Sequence, residues 1–461
     1  MVAHAIGNRP PRATEILRSA GLTPFRQILD RDCFARAWLK PLGANAVLIP
    51  EVVFWLMALA ALNQPSMAAA MSGFWSAMRA SFPRLPIVPL TEEAFCHARK
   101  VLPLRFFLRL FADLVERFTA KFGSRFRWKG FRLLGVDGMD ADLQRNAHLR
   151  KIFPPPGNQH GRAGRPQGRL VGLVGLWDGI CYAFQWTSLL VGEQPSARQL
   201  FKRLVRMDLV LADRNFPDLE SFAVILSRGA DFLFHLPRNR FLKKPRIPTP
   251  SGRSDEWYVD LALPKRVRQA YPQSGPVLRV RILQYQRRGF RTSWLITSLL
   301  DTDKFPHQEL VELYHQRWRQ ETFHREWKYT LQLSNLRSLT AAGLLKEVLV
   351  QLTINNAIRW MMAEAVSGPD GRPGDRPVDL KFLDAKRAIL AELPAMTSAP
   401  AWALMPLYRQ LLQTIARQRI RVRPGRTYSR KWDGRDRPKG HGRVAQPAKA
   451  IAQEQHNASH F

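Results

Sequence analysis

The sequence predicts an α/β fold in which a mixed β-sheet is flanked by helices, and two observations carry this prediction. Between residues 126 and 238, three apolar segments typical of strands are followed by a helix, a strand, a second helix and another strand. Residues 1–125 show helical periodicity without strand-like alternation. Strands that alternate with helices are typical of a sheet covered by helices. The length of 461 residues suggests two to four domains.

The N-terminal residues 1–125 predict a helical domain. An apolar segment, Val52–Leu62, follows Pro50 and Glu51, and Thr91 precedes two glutamates in the manner of a helix cap. A helix that crosses a membrane needs about 20 apolar residues, so the shorter segment predicts a buried helix and no membrane association.

Residues 126–238 predict the first part of the α/β core. Two of its apolar strands end in an acid, since Phe131–Val136 is followed by Asp137 and Leu209–Ala212 is followed by Asp213. Each acid, taken alone, is more often a turn former or a helix cap than a functional residue. The remaining strands are expected at residues 170–177, 181–189 and 231–236.

The C-terminal half predicts four further segments. Residues 239–304 carry β-branched and aromatic residues between basic turns, which predicts a β-rich insertion. Helical periodicity returns in residues 305–366, the second part of the core. A helical C-terminal segment, 367–416, begins with a linker rich in Gly and Pro, and residues 417–461 form a basic tail that we expect to be disordered.

The charge of the chain predicts a polyanionic partner. The 71 Lys and Arg residues against 37 Asp and Glu residues give a net charge of +34. In a globular chain, such an excess most often indicates nucleic acid. The three cysteines lie far apart, so neither a zinc site nor a disulfide framework is predicted, and a reducing intracellular compartment is expected.

A polar stripe on the helix after residue 305 is the sharpest local pattern. At 100° per residue the stripe spans about 60° of an α-helix, and it contains Tyr314, Arg317, Glu321 and Lys328. Phe323 and Trp327 fall on the opposite side, where a core could take them. The simplest interpretation is a solvated face of a basic helix.

Two further acids favour a chemical interpretation. Asp137, Asp213 and Glu321 form a set of three carboxylates on two strands and a helix. Such a set can hold two divalent ions about 4 Å apart beside a phosphodiester. Oxygen ligands suit Mg²⁺ or Mn²⁺, and Arg317 and Lys328 would then hold DNA phosphates beside the ions.

The spacing Tyr-x2-Arg-x3-Glu-x6-Lys at residues 314–328 resembles the signature of the DDE transposases of bacterial insertion sequences, in the fourth insertion-sequence family. The segment 211–216 resembles that family's second-aspartate segment, and the resemblance covers most of residues 25–365. It implies an RNase H-like catalytic core interrupted by the β-rich insertion. It also implies cut-and-paste DNA transposition of an insertion sequence.

The resemblance further implies roles for individual residues and partners. Two Mg²⁺ ions, or Mn²⁺ in their place, would be held by Asp137, Asp213 and Glu321. Residues that would position the DNA are Tyr314, Arg317, Lys328, Arg214 and Trp294, the last by stacking on a base flipped out of the element end. The expected partners are double-stranded DNA, at terminal inverted repeats and target, and a second copy of the chain, in the bacterial cytoplasm at the nucleoid. The N-terminal domain would recognise the element ends.

One departure from the family leaves alternatives open. The family usually has Asp-Gly-Thr at the first aspartate, whereas this chain has Asp137-Gly-Met, followed by Asp140 and Asp142. Asp140 and Asp142 therefore compete with Asp137 as the first ligand. Two other functions also stay open: a catalytically impaired relative that binds element ends and represses transposition, and an RNase H-like nuclease without strand transfer.

Overall fold

The computed structural model describes residues 48, 50–63, 67–81, 91–158, 161–162, 164–238, 240–286, 291–398 and 401–420. The predictions for residues 1–47 and for the tail beyond Ile420 lie outside the described residues. None of the described helices combines the length and apolarity that crossing a bilayer requires.

A mixed sheet of nine strands forms the centre of the described chain, in the order β5-β4-β1-β6-β7-β11-β10-β9-β8. Its strands are β1 (Arg132–Asp142), β4 (Gln167–Gly175), β5 (Cys181–Ser188), β6 (Asp208–Ala212), β7 (Asp231–Leu236), β8 (Ile247–Pro248), β9 (Glu256–Ala262), β10 (Val277–Tyr285) and β11 (Ser293–Thr297). A separate small hairpin pairs β2 (Gly157–Asn158) with β3 (Gly161–Arg162). The mixed sheet and its helices confirm the predicted fold class.

The first five strands of this sheet have an RNase H-like arrangement. Strand β4 pairs antiparallel with both β1 and β5, whereas β6 runs parallel to β1 and β7 runs parallel to β6. Parallel neighbours require a crossover, and helices supply it between the parallel strands. These helices are α6 (Glu193–Phe201), before β6, and α7 (Leu219–Ser227), between β6 and β7.

The strands of the predicted insertion extend the same sheet. Strand β11 pairs antiparallel with β7, so that Trp294 lies opposite Leu236. On its other side β11 pairs with β10, where Trp294 lies opposite Gln284. A short helix, α8 (Lys265–Ala270), connects β9 with β10.

A buried ion pair joins these strands to the segment before the signature residues. Arg281 of β10 and Glu256 of β9 have no exposed side-chain area and bond to each other. Arg281 Nη1 also donates to the carbonyl oxygen of Phe305, at 2.8 Å. His307 Nε2 lies 3.0 Å from the carbonyl oxygen of Gln284. The helix that follows Pro306 is therefore anchored on the strands around Trp294.

Helices cover the sheet and form the N- and C-terminal parts of the described chain. The N-terminal four are α1 (Pro50–Asn63), α2 (Met67–Ser81), α3 (Glu92–Val101) and α4 (Leu104–Phe122), and a short α5 (Ala147–Ile152) follows β1. The signature segment contains α9 (His307–Tyr314) and α10 (Arg319–Arg325), and the C-terminal helices are α11 (Ala341–Ser367), α12 (Phe382–Ser398) and α13 (Ala401–Arg417).

The long helix α11 links the N-terminal helices to the core. Phe118 of α4 packs edge-on against Trp360 of α11, with ring centroids 5.9 Å apart. Arg99 of α3 bonds to Glu347 of α11 at 3.2 Å. Burial of large aromatic surfaces is the main favourable term here, at roughly 25 cal/mol per Å².

The two faces of β1 enter two different cores, because successive side chains of a strand alternate. Leu133 and Met139 face the core that contains Phe323 and Trp327, and both aromatic residues are buried, as predicted. Leu134 and Val136 face the second core, together with residues of α6 and α7. The signature segment and α6 therefore approach β1 from opposite faces.

Two glycines let the signature segment approach the sheet closely. A Cβ atom at Gly135 of β1 would lie 2.6 Å from Gln320 Oε1, and a Cβ atom at Gly172 of β4 would lie 2.9 Å from the Trp327 ring. Gly172 pairs with Asp137 across the two strands. Trp327 has no exposed area, and its Nε1 donates to Asn355 Oδ1 at 3.1 Å, so the ring has little room to move.

The change Gly172→Ala should therefore destabilise the protein. Overpacking a rigid core site costs about 1–3 kcal/mol, so we expect the thermal midpoint to fall by several degrees. Differential scanning fluorimetry measures this shift. The control is Gly73→Ala in α2, where a Cβ atom would meet nothing within 4 Å. That change removes a helical glycine and should raise the midpoint slightly. Equal midpoints for both variants would contradict the close packing.

Candidate active site

Asp137 lies in the middle of β1, which corrects the expectation that it ends its strand. Strand β1 continues to Asp142 because β4 pairs with it over that whole length. Its parallel pairing with β6 stops at Gly135, opposite Leu211. Asp137 therefore lies just past the point where β1 and β6 separate, and it has a strand neighbour on one side only.

Asp213 immediately follows β6, as predicted. Its Oδ1 accepts a hydrogen bond from the backbone N–H of Asn215, at 2.8 Å, which makes a tight turn. Arg214, between them, is exposed. The gap between β1 and β6 thus has Asp137 on one strand and the Asp213 turn at the end of the other.

The signature segment is helical but departs from α-helical pitch twice, which corrects the regular α-helix expected from the sequence. Tyr314 ends α9, Arg317 lies in a 3₁₀ segment (His315–Trp318), Glu321 lies in α10, and Lys328 lies in a π-helical segment (Glu326–Thr330). The 3₁₀ turn has about three residues per turn, so Arg317 follows Tyr314 by one full turn. Single π turns are common at functional sites.

Arg317 is a cation that interacts with all three carboxylates, Asp137, Asp213 and Glu321. Its Nη2 lies 3.3 Å from Glu321 Oε1, and it also interacts electrostatically with Asp137 and Asp213. Burial by itself lowers the pKa of Arg317, but Tyr314 and the carboxylates raise the pKa above its ordinary value. Burial also raises the pKa of the Tyr314 phenol, which therefore stays protonated.

Asp137 carries the most perturbed carboxyl group of this centre. Burial raises its pKa to about 7, and the negative charges of Asp213 and Glu193 act in the same direction. Two groups lower the pKa of Asp137 without offsetting the rise. One is the backbone N–H of Gly138, which donates to Asp137 Oδ1 at 2.9 Å, and the other is the positive charge of Arg317. Negative charge at Asp137 is therefore incompletely compensated in the protein alone.

The two competing aspartates of β1 have other partners. Arg169 of β4 donates two hydrogen bonds to Asp140, at 2.7 and 3.1 Å. Gln167 donates to Asp142 at 2.6 Å. Because side chains alternate along a strand, Asp140 and Asp142 leave β1 on the face opposite to Asp137. This geometry favours Asp137 as the residue that faces Asp213 and Glu321.

The three carboxylates are arranged around the Arg317 guanidinium. Within the part of the chain that the structure describes, no group of three or more His, Cys, Asp or Glu side chains is placed to hold a metal ion. Glu321 is paired with Arg317 instead, at 3.3 Å. The donors themselves are all carboxylate oxygens, the kind that Mg²⁺ and Mn²⁺ prefer.

Trp294 borders a cavity of about 830 Å³ next to the carboxylates. Its indole is half-buried, and Nε1 donates to Gln284 Oε1 at 3.3 Å. The basic residues that line the same cavity are Arg214, Arg238, Arg291 and His235. The His235 ring lies 6.1 Å from the Tyr314 ring, so the cavity and the carboxylate centre are neighbours.

Comparisons with known proteins bear on this site. A family model described as "Transposase DDE domain" matches residues 129–356, which include Asp137, Asp213 and Glu321. The transposase InsG for insertion sequence element IS4 of Escherichia coli (strain K12) is 25% identical over 325 residues, 69% of this chain and 72% of that protein. The chain belongs to the DDE transposases of the IS4 type.

Among solved structures, the transposase is similar to a piggyBac transposase in a synaptic complex with hairpin DNA. The sequence identity is 13% and the TM-score is 0.45, over 88% of this chain and 86% of that chain.

Sequence reasoning gave no role to three residues that the structure places beside the centre. Glu193 and Gln320 approach β1 at Gly138 and Gly135, and His324 lies one turn after Gln320. The glycines of β1, Gly135 and Gly138, were the sequence signal that other side chains approach the strand closely. The tertiary packing is needed to show which side chains occupy the space that these glycines leave.

His324 should make the stability of the transposase depend on pH. Burial, and then Arg317, lowers the pKa of His324 to about 4. As the pH falls below about 6.5, His324 becomes protonated in the unfolded chain but stays neutral in the folded protein. The free energy of unfolding therefore decreases between pH 6.5 and 4. This linkage amounts to about 2 kcal/mol at pH 5. The His324→Gln variant should lose less thermal stability than the wild type between pH 7 and pH 5.

The matched control is His148→Gln, which replaces an exposed histidine of α5. Thermal midpoints are measured for all three proteins in metal-free buffer. Parallel curves for the wild type and His324→Gln would contradict a half-buried histidine that stays neutral in the folded protein.

Proposed function

We propose that this transposase performs cut-and-paste transposition, by cleaving double-stranded DNA at the ends of its element and joining the 3′ ends to a target. The observation that carries the proposal is the convergence of Asp137, Asp213 and Glu321 on one cation, Arg317. Three carboxylates from three separate elements rarely gather in a half-buried cleft without a function, since their mutual repulsion costs stability.

Asp137, Asp213 and Glu321 are the residues that would hold two Mg²⁺ ions, for which Mn²⁺ can substitute. Their oxygens suit hard divalent cations, and the raised pKa of Asp137 marks negative charge that a cation would compensate. When bound, such ions assist both the attack on phosphorus and the departure of the leaving oxygen.

The remaining residues of the signature would bind and orient DNA. The Arg317 guanidinium can donate two parallel hydrogen bonds to a phosphate, and a phosphate carries enough charge to compete with Glu321 for it. The protonated Tyr314 hydroxyl can donate one more. Lys328, in the π-helical segment, would supply a single positive charge at the end of a flexible side chain. These groups would hold the scissile phosphate still while the carboxylates bind the ions.

The cavity beside Trp294 would accept a base flipped out of the element end. Its basic residues, among them Arg214 and Arg238, suit the flanking phosphates, and the half-buried indole offers a stacking surface. Stacking on an aromatic side chain offsets the loss of base stacking by about 1–3 kcal/mol per base. A duplex end could then fold into a tight hairpin.

The net charge of +34 supports a long DNA-binding surface. Two element ends must be held together for excision, so the active species would be a homodimer on DNA, acting at the bacterial nucleoid in the cytoplasm. The helical N-terminal domain would recognise the element ends. The basic tail would contact the DNA backbone.

The unusual Met139 lies on the same face of β1 as Asp137, because the two residues are two positions apart in the strand. Its side chain is buried in the apolar core on the signature-segment face of the sheet. The methionine in place of the family's threonine therefore has a packing role in the core, which is compatible with a catalytically competent enzyme.

The proposal predicts a joining reaction that depends on the three carboxylates. A pre-cut duplex from the inverted repeats that flank the gene is incubated with supercoiled plasmid and Mg²⁺. Joined product is expected from the wild type, and Asp137→Asn, Asp213→Asn and Glu321→Gln should each reduce the joining rate more than about a hundredfold. Binding of the same duplex, measured by mobility shift, should change little.

The control is Asp140→Asn, which removes a charge from the other face of β1. It should join DNA at close to the wild-type rate. Hydrolysis without joining would instead indicate a nuclease, and binding without any chemistry would indicate a repressor. Loss of joining in Asp140→Asn but not in Asp137→Asn would show that the first ligand is misassigned.

Trp294→Ala should separate the two stages of end cleavage. Nicking of the first strand should stay near the wild-type rate, whereas the second-strand step should slow by about tenfold or more, since roughly 1.4 kcal/mol corresponds to tenfold. An abasic nucleotide at the flipped position should restore part of the rate. Gel assays of both strands measure these steps.

The control is Trp257→Ala on strand β9 of the same sheet, where the indole is buried in the core. That variant should lower the thermal midpoint and slow all steps together. If Trp294→Ala behaves in the same way, Trp294 is a core residue and the stacking role is wrong.

A further inference from the structure

A basic segment connects β1 with β4, just past the carboxylate centre. Residues 143–166, named here the β1–β4 lobe, contain five Lys or Arg residues and no Asp or Glu. The lobe consists of α5, the small hairpin of β2 and β3, and their connections. A surface that serves only solubility usually mixes both signs of charge. The composition of the lobe therefore indicates a polyanionic partner.

The β1–β4 lobe is packed against the rest of the protein. Leu149 of α5 and Phe153 are buried in the apolar core. The Phe153 ring also contacts Trp186 of β5, with ring centroids 5.9 Å apart. Gln144 Nε2 donates to the carbonyl oxygen of Leu336, beyond the signature segment, at 3.1 Å. These contacts fix the position of the lobe relative to the carboxylate centre.

The basic side chains of the lobe face the solvent. Those that are exposed are Arg145, Arg150, Lys151 and Arg165. Among the described residues, no acidic side chain pairs with Arg145, Lys151 or Arg165. Asp140, on β1 before the lobe, is already paired with Arg169 of β4 at 2.7 Å. The positive charge of the lobe is therefore available to a ligand.

The order of the strands places the lobe and the Trp294 cavity on opposite sides of the carboxylate centre. The gap between β1 and β6 has β4 on one side, and β7 and then β11 on the other. The cavity is lined from β7, β10 and β11, whereas the lobe follows β1 and precedes β4. Strand β1 continues from Asp137 to Asp142, which is about 17 Å at about 3.4 Å per residue. Phosphates of one DNA strand are also about 3.4 Å apart along the helix axis, so the lobe begins about five nucleotides from the centre.

We propose that the β1–β4 lobe binds the backbone of duplex DNA outside the element, which is the flank before cleavage and the target during joining. The inference rests on the proposed function, because it takes the reacting phosphate to lie at the carboxylate centre and the element end to lie at the Trp294 cavity. DNA that passes through the centre then has the element on the β11 side and the outside duplex on the β4 side. Contacts to phosphates carry no sequence information, so they suit DNA whose sequence varies from site to site.

The first test measures joining of a pre-cut end duplex to supercoiled plasmid at increasing plasmid concentration. In the double variant Arg145→Gln/Lys151→Gln, the plasmid concentration for half-maximal joining should rise about tenfold. The slope of log target affinity against log salt should become shallower by about 2, since each lost phosphate contact removes about 0.9. The joining rate at saturating plasmid and the affinity for the pre-cut end should stay near the wild-type values. Arg145→Lys/Lys151→Arg keeps both charges and should behave as the wild type.

The second test distinguishes the flank from the target. End duplexes are compared by mobility shift with and without a flank of one helical turn, about ten base pairs. The flank should strengthen binding by the wild type more than binding by Arg145→Gln/Lys151→Gln. The matched control is Lys265→Gln/Arg268→Gln, which removes two exposed charges from α8, a six-residue helix beside β9 and β10. The control should match the wild type in both assays.

A change in either assay supports the inference and identifies which outside DNA the lobe binds. Wild-type behaviour of Arg145→Gln/Lys151→Gln in both assays would overturn the inference alone. Weaker binding of the pre-cut end would place the lobe on the element, and equal losses in Arg145→Lys/Lys151→Arg would show a structural role, so either result would also overturn it. Failure of the wild type to join any end would overturn the proposed function, whereas the flank assay would still decide whether the lobe binds outside DNA.

Discussion

The close packing of the signature segment against β1 and β4 is the constraint on which the active centre depends. Gly135 and Gly172 leave space for Gln320 and for the Trp327 ring, so the helical backbone lies nearer to the sheet than ordinary side chains permit. Trp327 is then fixed by Asn355 of α11. This packing brings Glu321 and Arg317 to the gap between β1 and β6, where Asp137 and Asp213 lie.

The same gap concentrates negative charge from both faces of the sheet. Glu321 comes with the signature segment on one face, and Glu193 comes with α6 through the space at Gly138 on the other. Arg317 offsets part of this charge, yet the pKa of Asp137 is still raised to about 7. A centre that is electrostatically unfavourable in the protein alone is typical of a site built to bind a charged ligand.

Local patterns predicted the elements well and the geometry of the centre less well. The apolar strands, Asp213 after β6 and the buried pair Phe323 and Trp327 follow from periodicity, which is a property of the chain itself. The position of Asp137 within β1 depends on where β6 stops pairing, which no local pattern records. The pitch changes around Arg317 and the approach of Glu193 depend on tertiary packing and were not predicted.

A crystal structure of the transposase with Mn²⁺ and a pre-cut end duplex tests the central claim most directly. Anomalous scattering locates manganese without reference to the protein ligands. The account predicts anomalous peaks bounded by carboxylate oxygens of Asp137, Asp213 and Glu321, beside the terminal phosphate. Peaks at Asp140 and Asp142, or an ordered duplex with no manganese between β1, β6 and α10, would contradict it.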